Sequence, residues 1–305
     1  MAEPKYYSPL KIGLLAVSIA YFLFTLHALF TLSWIGEWNY LGGSAWFWIF
    51  ITDVSAYFGL IFRFIASLIG FAAILFYFAK KRLPESTAFK VLKWILVLEA
   101  LYWVPLFLSG LMGFLPSDLS GFGTIGFSLS LLITTGIPCL VSSIAIPLAL
   151  FKLAFKLSPD KPPKDAIKWG LITGTAYVFV FWLNNMGMWI ATLMQKGTEY
   201  LFIYPENLLN FTLTTIGLLV LTLFIAYFTK KSSRTETWEK LKLRTIGAII
   251  MAIGLYFFWN YLTWIFFGGW SDWYAWFLGH NLDLWMLSLP LVGLPLLFKH
   301  HISET

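Results

Sequence analysis

Apolar stretches of about twenty residues recur along this chain, separated by short polar segments. Each is long enough to cross a hydrocarbon core of about 30 Å as a helix. The pattern predicts spans at about 10–34, 54–79, 91–114, 124–151, 167–194, 208–229, 245–268 and 282–298. The expected fold is therefore all-α: a polytopic integral membrane protein with about eight transmembrane helices. The first stretch, Leu10–Trp34, is too long for a signal peptide and carries no small-residue cleavage site, so it is expected to stay as a span.

The connectors alternate in charge. Those after spans 2, 4 and 6 are basic, with Lys80, Lys81, Arg82, Lys152, Lys156, Lys230 and Lys231 among them. Those after spans 1, 3, 5 and 7 carry Glu37, Asp118, Glu199 and Asp272, and Lys196 is their one basic residue. If both termini share a side, 19 of the 21 Lys and Arg residues fall on it. The positive-inside rule then puts both termini in the cytoplasm of a cell-membrane protein.

A weak internal repeat accompanies this alternation. Lys11-Ile-Gly13-Leu14 opens span 1 and Lys168-Trp-Gly170-Leu171 opens span 5; Pro147 to Lys152 and Pro295 to Lys299 close spans 4 and 8 alike. Two four-helix halves in parallel orientation are expected, 1–157 and 158–305. The proline-rich loop Ser158–Asp165 is the joint between them.

Composition narrows the chemistry. Hydrophobic residues make up 59% and charged residues 12%, which excludes a water-soluble globule of this length. The net charge of +6 does not indicate nucleic acid, because the basic residues cluster in short loops between spans. The one cysteine, Cys139, supplies neither an internal disulfide nor a thiolate cluster. No P-loop, no H-E-x-x-H and no lysine deeper than the third residue of a span is present.

The candidate site is organised around Trp270–Trp285, a turn bearing Trp273, His280, Asp283 and Trp285 before a proline-broken last span. Counted from the nearest basic boundary, His27, Asn184, Asn260, Arg63 and Asp283 lie at one level, about 16–17 residues and so roughly 24 Å in. This predicts a pocket in the outer leaflet with Arg63 and Asp283 as an ion pair, since an ionisable group at that depth needs a partner or a cavity. Glu99, six residues past Lys93, is expected to snorkel to the cytoplasmic interface.

A quinol head group needs hydrogen-bond partners, a proton acceptor and aromatic walls. His27 and Asp283 are the expected catalytic contacts, with Arg63, Asn184, Asn260, His280, Trp273 and Trp285 around the ligand. The expected function is a membrane subunit of a respiratory electron-transfer complex, embedded in lipid, with partner subunits docked on the tryptophan-rich outer face to carry the electrons. A haem b held by His27 and His280 is the alternative cofactor. A small-molecule or ion transporter is the second class, and a lipid-active enzyme or assembly factor the third. In architecture alone, two four-helix bundles with an outward quinol pocket are similar to the polysulfide reductase membrane subunits, with no motif matched residue by residue.

Overall fold

The computed structural model describes residues 7–31, 44–80, 85–112, 132–158, 163–197, 212, 215–220, 222–223, 226–227, 246–258 and 286–297. They are 96% helical, with no strand among the described residues. Helix α1 runs Tyr7–Thr31, α2 Ser44–Lys80 and α3 Glu85–Trp103; the short α4, Leu106–Met112, continues α3 after a break. A π-turn at Leu132–Gly136 leads into α5, Ile137–Lys156, followed by α6, Pro163–Lys196. Helix α7 is Ile246–Phe258, and α8 is Pro290–Leu297 after a 3-10 turn at Met286–Ser288.

Among the described residues, four segments are long and apolar enough to cross a membrane: Pro9–Leu29, Tyr57–Ala79, Ser86–Leu108 and Ile137–Lys156. Their large outward side chains (Leu23, Phe58, Trp94, Leu148 and Phe155 among them) are exposed, as suits a lipid-facing surface. With lipid outside, burying apolar area gives little drive. These helices are held instead by close packing and interhelical polar bonds.

Proline and glycine account for the breaks. Pro105 has no N–H for the carbonyl of Leu101, so α3 stops at Trp103, and the turn recovers through Phe107 N–H to Val104 O at 3.1 Å and Leu108 N–H to Pro105 O at 3.1 Å. Helix α6 ends at Gly197, whose φ of 76° only glycine takes freely and whose N–H bonds Leu193 O at 2.9 Å.

Neighbours run α1–α2, α2–α3, α3–α5 and α5–α6, with α8 against α1. Ala100, Ile146, Leu150 and Val180 pack α3, α5 and α6 together; Leu171, Val178, Leu218 and Ile249 form a second core that α7 shares. Helix α8 is held by close backbone approach: a Cβ on Gly13 would strike the carbonyl of Leu291, and one on Gly247 would lie 2.8 Å from the carbonyl of Gly293. At the polar end of α5 and α6, Lys156 Nζ meets Asp165 Oδ2 at 3.1 Å across the joint.

Candidate functional site

Three helices carry a polar aromatic or acidic side chain fourteen residues after their first residue: Tyr21 on α1, Glu99 on α3 and Tyr177 on α6. At 1.5 Å per residue each stands roughly 21 Å along its helix. Helix α2 runs the other way and brings Arg63, seventeen residues before Lys80, to the same place. The four side chains meet inside the bundle.

Glu99 is the hub. Its Oε1 accepts from Arg63 Nη2 at 2.5 Å, from Arg63 Nε at 3.0 Å and from the Tyr177 hydroxyl at 3.3 Å; its Oε2 accepts from the Tyr21 hydroxyl at 2.8 Å. Tyr177 in turn accepts from Trp103 Nε1 at 2.9 Å. Arg63 and Glu99 side chains are 6% and 14% exposed. The guanidinium lies over the Tyr102 ring, 3.3 Å from its centre, and 5.5 Å from that of Trp103. Charge, hydrogen bonds and ring faces thus neutralise a cation and an anion that hydrocarbon would otherwise penalise heavily. One turn along α1 and α2, the hydroxyls of Thr25 and Ser67 meet at 2.6 Å, extending the polar seam between these helices.

Beside this centre lies an apolar groove of about 510 Å³, open on one side and lined by Phe58, Val104, Pro105, Phe107, Leu108 and Ser143. The two features share structure. Gly59, one turn from Arg63, lets α2 approach the break so closely that a Cβ there would stand 2.8 Å from Tyr102 O and 3.6 Å from Pro105 Cγ. Ser143 is buried on α5 and donates to Leu140 O at 3.0 Å.

The expected place of Glu99 is therefore corrected, while the expected pairing of Arg63 with Asp283 lies outside the described residues. Arg63 pairs with Glu99, and Glu99 belongs to the buried centre instead of reaching the cytoplasmic interface. The physical reason is the choice of zero for depth. Lys93 sits eight residues inside α3, exposed on its surface, so it does not mark the membrane boundary; counted from Glu85, Glu99 reaches the level of Arg63. His27 lies half-buried on α1, six residues beyond Tyr21, and Asn184 is exposed on α6. Asn260, Trp273, His280, Asp283 and Trp285 lie outside the described residues. Sequence reasoning missed Tyr21, Tyr102, Trp103 and Tyr177. Their signal was a spacing of four: Tyr21 with Thr25, Arg63 with Ser67, and Thr173 with Tyr177 each put polar groups on one helix face.

Comparison with family models, with curated proteins and with solved structures gives no match. The functional reading of this chain therefore rests on its own geometry.

Proposed function

We propose that this chain is a membrane subunit of an electron-transfer complex that holds a quinol-type molecule in the outer half of the bilayer. The observation that carries the reading is a centre of fixed charge and aromatic rings set inside the bundle directly against an apolar groove. A quinol is an aromatic ring on an isoprenoid tail, and the groove offers ring faces and apolar walls whose positions the neighbouring centre fixes. Eight spans in two parallel four-helix halves, with cytoplasmic termini in the cell membrane, complete the proposal. His27 and Asp283 are its proton acceptors, and Asn260, His280, Trp273 and Trp285 its outer walls. Arg63 serves as part of the wall through Tyr102, since its charge is taken by Glu99. Partner subunits on the outer face carry the electrons.

The test is isolation of the intact complex in mild detergent, followed by lipid extraction and an absorbance spectrum. Co-purifying quinone without a Soret band supports the quinol reading; a Soret band lost in His27→Ala moves it to the haem b alternative. A second reading, a transporter, is favoured by the broken α3–α4 segment, because discontinuous helices frame substrate sites in such proteins. Neither quinone nor haem in a stable preparation that retains its partners selects it.

A further inference from the structure

The groove at Pro105 has a chemical polarity of its own. Two prolines on facing helices each leave one carbonyl without its usual donor four residues on. Pro105, a lining residue, cannot donate to Leu101 O; Pro147, inside α5, cannot donate to the carbonyl of Ser143, which also lines the groove. The Ser143 hydroxyl spends its proton on Leu140 O and keeps its lone pairs. The polar positions of the groove are thus acceptors, in a setting where the alternative to pairing is hydrocarbon.

None of the lining residues is charged, and the neighbouring cation, Arg63, is bound to Glu99. A phospholipid head group would find no partner for its phosphate. A molecule with an apolar body, a flat ring for Phe58 and Phe107, and hydroxyl donors meets what the groove offers. Its volume of about 510 Å³ lies within the range of small-molecule sites, about 300–1,000 Å³. The lining residues lie within or next to the spans Tyr57–Ala79, Ser86–Leu108 and Ile137–Lys156, so access is from the lipid.

We propose that this groove binds the hydroxyl-bearing, reduced ring of a membrane-soluble isoprenoid hydroquinone and prefers it to the oxidised quinone, which brings only acceptors. This rests on the quinol reading above and places the ring between α2, the α3–α4 break and α5.

The experiment uses the full chain in nanodiscs with a photoreactive short-tailed quinone analogue, and maps the labelled peptides by mass spectrometry. Competitors are an alkyl hydroquinone, the matching quinone and the hydroquinone di-O-methyl ether. Labelling is expected at Phe58 or at 104–108, displaced at least about tenfold better by the hydroquinone than by the ether or the quinone. Ser143→Ala should weaken that displacement several-fold without loss of folding, and Phe107→Trp, at an exposed position, should narrow the groove and cut labelling. Hydroquinone-sensitive labelling only near His27 or Asp283 overturns the groove and leaves the quinol reading standing. Labelling that no competitor displaces anywhere overturns both. Groove labelling by a photoreactive phospholipid that hydroquinone cannot displace makes the groove a lipid site and overturns the proposal. Equal competition by the ether overturns the preference for the reduced ring.

Discussion

Replacing Glu99 by Gln keeps the size of the side chain and removes its charge. The guanidinium of Arg63 then remains 6% exposed with no anion beside it, and it cannot escape by losing a proton. Breaking a buried pair in this way costs about 3–5 kcal/mol. The opposite change, Arg63→Met, should cost less, about 1–3 kcal/mol, because an orphaned carboxyl group can take up a proton and still accept from two hydroxyls. The tyrosines at 2.8 and 3.3 Å stay in place to supply them. In the double variant the amide oxygen of the new Gln still accepts from Tyr21 and Tyr177, and no charge is left unpaired. Arg63→Met/Glu99→Gln should therefore be more stable than Glu99→Gln alone, with a coupling of about 2–3 kcal/mol. The assay is reversible unfolding in mild micelles titrated with a denaturing detergent, read by tryptophan fluorescence and far-UV circular dichroism. If the two single costs add, or if Glu99→Gln costs under about 1 kcal/mol, the ion pair is not what holds these helices together.

The same unfolding assay ranks the tyrosines. Tyr177→Phe strands the Trp103 N–H as well as losing its own bond to Glu99, so it should cost about 1–3 kcal/mol more than Tyr21→Phe; the reverse order would count against the network as drawn. Gly247→Val drives a side chain into the backbone of α8 and should destabilise by about 1–3 kcal/mol, whereas Gly170→Ala, with nothing within 4 Å of the new Cβ, should be neutral or slightly stabilising. For the proposed topology, Asp160→Cys and Thr235→Cys in a Cys139→Ser background should label only from the cytoplasm, and Asp118→Cys and Tyr200→Cys only from outside. A crossed result would end the eight-span arrangement.

The membrane class and the spans expected at 10–34, 54–79 and 91–114 could be read from sequence as long apolar runs, whereas the fourth, expected at 124–151, continues as helix to Lys156. Arg63 was legible too, as an arginine flanked by Phe62, Phe64 and Ile65. Its partner was not. Depth along a single helix is only as good as the residue taken as its boundary, and Lys90 and Lys93 are exposed on α3 well past its start at Glu85. Tyr21 and Tyr177 were hidden for another reason. In a chain that is 20% aromatic a tyrosine in a span carries no distinction until a neighbouring helix supplies the carboxylate. The groove was illegible because it is made of gaps: a glycine at 59, a proline at 105 and a serine at 143 belong together only once α2, α3 and α5 are packed.

The centre and the groove divide the work that a membrane ligand site requires. In the centre every oxygen of Glu99 is bonded, and the Arg63 cation is held by a carboxylate and a ring face. A ligand entering there would have to displace charge-assisted bonds, each contributing about 1.5–3 kcal/mol, before gaining anything. At the proposed site the balance reverses, because the Ser143 hydroxyl oxygen and a carbonyl that Pro147 cannot serve would gain a donor that lipid cannot provide. The ionic centre is thus better suited to fixing geometry than to binding. It ties α1, α2, α3 and α6 at one level, and through Tyr102 it sets the position of the α3 break from which the groove opens. Loosening it should therefore reach the groove before it reaches the fold. In Tyr21→Phe, with the ion pair intact, hydroquinone-sensitive labelling at 104–108 should fall several-fold while far-UV circular dichroism stays unchanged. Labelling that persists at the wild-type level would show that the centre and the groove are independent.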